Sequence, residues 1–265
     1  MGALQLVLGL ICLAVTLVAV VLVVRTVRRM VSSIRLGQPD PSRKGPFGAR
    51  FGNVVREVLG HTRMLKWGHV GVAHWLVMAG FGGLSLTVLE AYSEVFQPSF
   101  HLPLIGTWSV WNLVVEFLGV ATILGGLWLI GVRQANHPRR AGRVSRFQGS
   151  NFEQAYFVEA VVVLEGVGIM GLRAFKQATG LFEVPVWAAP VTHALGSVLP
   201  ASTAAVSIFA AFKILSAMIW VIVVASNITM GVAWHRFSAF FNIYFKREAD
   251  GDVALGAVKP MMSGG

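Results

Sequence analysis

Residues 3–24 read ALQLVLGLICLAVTLVAVVLVV, an apolar run without a charged side chain. A helix of about 20 such residues crosses the hydrocarbon core of a bilayer. The run exceeds the apolar core of a cleavable signal peptide, lacks a basic region before it, and is followed at once by Arg25, Arg28 and Arg29. We therefore expect a membrane anchor whose short amino terminus lies outside.

Four further segments reach the same length, and 55% of all residues are hydrophobic against 13% charged, far below the roughly one-quarter of soluble domains. The four segments are Trp67–Leu89, Trp108–Val132, Phe152–Leu172 and Ala201–Trp234. The last is longer than a span needs, so it should tilt or protrude. The sequence predicts an all-α membrane protein: a five-transmembrane-helix bundle over residues 1–247, with residues 248–265 as a cytoplasmic linker or tail.

The positive charges alternate between loops. Lys and Arg concentrate in residues 25–66, 133–146 and 236–247, whereas residues 93–107 carry none and the stretch after Leu172 has only Arg173 and Lys176. The positive-inside rule then places the amino terminus outside and the carboxyl terminus in the cytoplasm. Topology accounts for most of the net charge of +10, so we expect no nucleic-acid partner.

The single cysteine, Cys12, lies within the first span. One thiol cannot hold an iron–sulfur cluster or build a disulfide framework. Any cluster that exchanges electrons with this chain must therefore lie on other polypeptide.

Histidine is uncommon in lipid-spanning helices, because its ring nitrogens need polar partners. Of seven histidines, His101, His137 and His193 fall in loops and are expected to be solvated, and His61 is expected at the cytoplasmic surface. That leaves three within or bordering spans: His69, His74 and His235. His69 and His74 point about 140° apart on a helix, so both cannot face one metal ion.

His74 and His235 lie near the same side of the membrane. Two histidines that face each other across a bundle can supply both axial ligands of a b-type haem. The alternative for each is an ordinary interhelical hydrogen bond. Residues 237–245 (FSAFFNIYF) favour a helix in the headgroup boundary directly after His235.

Two motifs carry a resemblance to a known family. Residues 60–66 (GHTRMLK) with 71–81 (GVAHWLVMAGF), and residues 234–242 (WHRFSAFFN), are similar to the second and last helices of the nitrate reductase gamma-subunit superfamily. The nearest form is the membrane cytochrome b domain at the front of heterodisulfide-reductase-type iron–sulfur oxidoreductases, among them actinobacterial electron-transfer-flavoprotein:menaquinone oxidoreductases. The resemblance covers nearly the whole chain.

The chain departs from dihaem members at two positions. Those members carry further histidines about ten residues after the first motif's ligand and about eighteen before the last, where this chain has Leu84 and Ala217. The resemblance therefore implies one haem b on the cytoplasmic side, with His74 and His235 binding its iron.

The resemblance further implies a relay. Electrons would pass between a cytoplasmic iron–sulfur domain or subunit, with electron-transfer flavoprotein as its donor, and menaquinone in the cell membrane. The chain would then be the membrane part of a quinone oxidoreductase. Charged residues inside spans are candidates for the quinone pocket. We favour Glu159, then Glu165, and an ion pair with Lys213 or Arg173 is the alternative for these glutamates. The rival functions are a non-redox anchor or assembly scaffold and, more weakly, a transporter.

Overall fold

The computed structural model describes residues 2–137, 139, 142 and 151–251, and within them the chain is helical with no strand. The α-helices are α1 (Ala3–Ile34), α2 (Phe47–Val54), α3 (His69–Glu94), α4 (Ser109–Ala135), α5 (Phe152–Ala178), α6 (Pro190–Gly196), α7 (Thr203–Ser226) and α8 (Gly231–Tyr244). Short 3₁₀ turns occupy Pro41–Arg43, Met64–Trp67 and Val186–Ala188, and a π-helical turn follows α2 at Val55–Leu59.

Five helices, α1, α3, α4, α5 and α7, are long and apolar enough to cross a membrane. This confirms the predicted five-helix, all-α membrane fold. A helix satisfies its backbone hydrogen bonds within itself, as a segment surrounded by lipid must. The five pack around a shared core that includes Leu84, Val115, Leu172 and Ile214.

The chain crosses the bundle five times, so the ends of the five long helices lie at two opposite ends of the bundle. The end of the bundle with Ile34, His69, Ala135, Phe152 and Ser226 carries the basic loops and is called here the basic end. The opposite end is called the far end.

The predicted fifth span, Ala201–Trp234, is wrong in its extent. Helix α7 ends at Ser226, and the chain turns through Asn227–Met230 before α8 begins. The Asn227 side chain donates to Val223 O at 2.7 Å, and the Trp234 indole donates to Val224 O at 3.2 Å and to Asn227 O at 3.1 Å. These bonds satisfy carbonyls that the end of a helix leaves without partners. His235 therefore lies on a separate short helix.

The segment after α1 is partly helical, and it also holds α8 in place. Arg50 is 2% exposed, and its guanidinium donates to Tyr244 O at 3.0 Å and to Lys246 O at 2.6 Å. A cation that binds the last carbonyls of a helix also complements its dipole. Arg50, read from the sequence only as a topology charge, fastens the end of α8.

The far end contains charged side chains buried between helices. Lys176 Nζ lies 2.7 Å from Glu94 Oε1 and donates to Phe100 O at 2.7 Å, with both charged side chains almost fully buried. Glu116 accepts hydrogen bonds from Thr192 N at 2.8 Å and Thr192 Oγ1 at 2.6 Å. Buried charges need such partners, so these contacts fix α3, α4 and α5 relative to the segment at α6.

Replacing Lys176 by Met should destabilise the bundle by about 3–5 kcal/mol, because it leaves the Glu94 carboxylate buried without its cation. The double variant Lys176→Met/Glu94→Gln should recover part of that loss. Equilibrium unfolding in detergent micelles measures both.

Lys44→Met removes the same charge at an exposed position and should change the unfolding free energy by no more than about 0.5 kcal/mol. Equal effects of Lys176→Met and Lys44→Met would contradict a structural role for the buried pair.

Candidate functional site

The basic end brings His74 of α3 and His235 of α8 close together. Their ring centres are 6.1 Å apart and the ring planes are tilted by 37°. Helix α3 carries His74 just inside its start, and the turn at Asn227–Met230 folds α8 back so that His235 reaches it. The two histidines singled out from the sequence are neighbours in space.

A third histidine, His61, joins this pair, and its expected surface position is wrong. It is 6% exposed, and its Nε2 lies 2.8 Å from His74 Nδ1. The chain reverses between His61 and α3, where Gly68 has a φ of +57° that favours glycine. The only signal in the sequence is this glycine, because nothing periodic links residue 61 to residue 74.

The hydrogen bonds define which nitrogen of each ring carries the proton. Val58 O lies 3.2 Å from His61 Nδ1, and a carbonyl only accepts, so His61 Nδ1 donates. With neutral rings, His61 Nε2 then accepts from His74 Nδ1. The Nε2 atom of His74 is consequently left with a free lone pair.

His235 also carries its proton on Nδ1, but its hydrogen-bond partner is a backbone carbonyl. Its Nδ1 donates to Gly231 O, one turn earlier in α8, at 3.2 Å. Desolvation by the neighbouring helices, and then the Arg236 cation, lower the pKa of His235 below its ordinary value of 6.5, although part of the side chain is exposed at the surface of the bundle. The ring is therefore neutral at pH 7, with an unprotonated Nε2.

This arrangement fits a metal ion held by two imidazoles. The 6.1 Å between the ring centres leaves room for a metal ion bonded at about 2 Å to one nitrogen of each ring. Ligating histidines use their other nitrogen to donate a hydrogen bond, as His74 and His235 both do. In the described part of the chain, no group of three or more His, Cys, Asp or Glu side chains is spaced to hold a metal.

The other histidines lie elsewhere and have partners of their own. His69 accepts from the Trp128 indole at 3.1 Å. The loop histidines are not simply solvated as expected, since His193 contacts Val184 O at 2.7 Å, His137 stacks on Phe152, and His101 Nδ1 lies 3.5 Å from Lys176 Nζ.

The two glutamates proposed for a quinone pocket differ in their surroundings. Glu159 is held by Arg133, whose Nε and Nη2 donate to it at 2.7–3.1 Å. This is the ion pair given as the alternative to a quinone pocket, but its partner is Arg133 rather than Lys213 or Arg173. Glu165 accepts from Ser216 Oγ at 2.5 Å and lines a cavity that also contacts Leu84 and Ala217.

Comparison of the chain with protein-family models, with curated proteins and with solved structures gave no match.

The hydrogen bonds predict that His74 and His235 both carry their proton on Nδ1 at pH 7. Nitrogen-15 NMR of histidine-labelled protein without a bound metal distinguishes the two tautomers by chemical shift. His235 should also titrate below pH 6.5, the value of an unperturbed imidazole.

In the variant His61→Ala, the tautomer of His74 should become mixed, while that of His235 stays the same. A protonated Nε2 on His74 in the unsubstituted protein would contradict the proposed hydrogen-bond chain.

Proposed function

We propose that this chain is a membrane haem b domain that relays electrons between a cytoplasmic iron–sulfur module, linked to electron-transfer flavoprotein, and menaquinone in the cell membrane. The observation that carries the proposal is the neighbouring pair His74 and His235, each with an unprotonated Nε2. The motifs around both histidines, which resemble a family of membrane cytochromes b, agree with it.

A haem with two imidazole ligands exchanges one electron at a time and has no open coordination position. The chain's own residues would keep both imidazoles neutral and oriented so that each can bind the iron. His61 orients His74, whereas the carbonyl of Gly231 orients His235. Because α8 is fastened through Arg50, the second ligand is held by tertiary contacts rather than by a continuous span.

The basic end is the side on which a partner module would bind. The chain beyond α8 returns to α2 there, with Asn53 Nδ2 donating to Ala249 O at 2.7 Å. The predicted tail therefore starts at the same end of the bundle as the site, although its residues 252–265 lie outside those the structure describes. An iron–sulfur module attached to or docked on this end would be on the same side of the membrane as His74 and His235.

Purified protein should contain about one b-type haem per chain, seen as a reduced-minus-oxidised absorbance difference. The variants His74→Ala and His235→Ala should each lose it, because one imidazole cannot provide two axial bonds. His69→Ala is the matched control in α3 and should retain the haem.

A folded but colourless protein would refute the relay and favour a non-redox anchor. Two haems per chain would instead refute the inference drawn from Leu84 and Ala217.

His61→Ala should retain the haem but weaken its binding by about 10–100-fold, the usual effect of removing a hydrogen-bond partner of a ligating histidine. It should also raise the reduction potential, since His74 loses the acceptor that increases its basicity. Haem titration and redox potentiometry measure the two effects.

Thr62→Ala, at the exposed neighbouring position, is the control and should change neither value. An unchanged haem affinity and potential in His61→Ala would show that the His61–His74 contact does not act on the ligand.

A further inference from the structure

A cavity of about 80 Å³ lies between α3, α4, α5 and α7, next to the start of α8. Its walls are mostly apolar, but polar side chains also line it, among them Thr122, Glu165 and Arg236 from three different helices. None of these groups takes part in holding His74 or His235.

Two of the polar groups at this cavity lack a partner among the described residues. Thr122 is 3% exposed, and its Oγ1 makes no hydrogen bond. The Nη1 atom of Arg236 is likewise buried and unpaired. Buried donors without acceptors are rare in folded proteins, so both atoms point to a ligand that supplies acceptor oxygens.

Close packing places the Thr122 hydroxyl against the backbone of α3. A Cβ added to Gly80 would lie 1.9 Å from Thr122 Oγ1, so only glycine allows this contact. Both residues line the cavity.

Aromatic rings form the wall beside Arg236. The rings of Phe81 and Trp220 meet edge to face with centres 5.5 Å apart, and the Arg236 guanidinium carbon lies 5.1 Å and 5.4 Å from them. Such surfaces favour a flat, apolar ring over a flexible chain. The guanidinium and the Glu165 carboxyl together favour a neutral ring that carries oxygens, rather than an anion.

One side of the cavity opens at the bundle surface. Ser85, on its rim, is exposed on a helix that is long and apolar enough to span the membrane. A ligand dissolved in lipid enters by this side without crossing water. The enclosed space is below the roughly 150 Å³ that holds benzene, so only the edge of a larger ring system fits inside.

We propose that this cavity binds the carbonyl edge of an isoprenoid quinone, with Thr122 and Arg236 as donors to the quinone oxygen and Glu165 as the adjacent acid. The inference rests on the proposed function for the identity of the ligand. It also selects between the two glutamates of α5, because Glu159 is already paired with Arg133.

The test is photolabelling of the full chain in lipid nanodiscs with an azido derivative of 2-methyl-1,4-naphthoquinone, mapped by mass spectrometry. Label is expected on peptides that contain Phe81 or Trp220. Thr122→Val keeps the shape but loses the donor, and should weaken labelling about tenfold. Ala217→Phe fills the cavity and should abolish the label.

Thr16→Val is the matched control: Thr16 lies in α1, where its hydroxyl already donates to Cys12 O, and labelling should be unchanged. Label elsewhere, or label that persists in both Thr122→Val and Ala217→Phe, overturns the proposal. So does loss of label in Glu159→Gln but not in Glu165→Gln.

Labelling does not require haem, which separates this proposal from the relay. Specific label on a colourless protein would leave the quinone site standing and refute the haem. A haem-containing protein without specific label would support the haem and refute the quinone site.

Discussion

The corner between α7 and α8 is the contact on which the candidate site depends. The Trp234 indole donates to Val224 O and Asn227 O across this corner, so the carbonyls exposed by the end of α7 have partners. Had α7 continued as one straight span, His235 would follow its axis away from the bundle. The corner instead folds α8 over the basic end and brings His235 within 6.1 Å of the His74 ring.

Polar contacts at the two ends of the bundle have different consequences. At the far end, pairs such as Lys176 with Glu94 are buried between spans and serve packing. At the basic end, Arg50 and His61 hold other groups in a required orientation, the former through backbone carbonyls and the latter through a ring nitrogen. The histidine pair therefore lies in a part of the molecule where hydrogen bonds fix direction as well as stability.

Two positions that the sequence singled out meet at the cavity lined by Glu165. Leu84 and Ala217, where dihaem members of the family that the motifs resemble carry further histidines, line one cavity although they belong to different helices. The sequence identified these positions through a resemblance alone. That Thr122 and Arg236 also reach this cavity was beyond sequence reasoning, because no spacing relates Thr122 in α4 to Arg236 in the last-helix motif.

The sequence by itself determined the five spans, since the length and polarity of a segment decide whether lipid can surround it. It also singled out His74 and His235, because histidine is uncommon in apolar segments, where its ring nitrogens need polar partners. Only the tertiary structure decided the end of α7, the burial of His61, the pairing of Glu159 with Arg133 and the access of Glu165 to a cavity. Those features arise from hydrogen bonds between residues far apart in the chain, and no local pattern of hydropathy or spacing encodes which distant partner a polar group will meet.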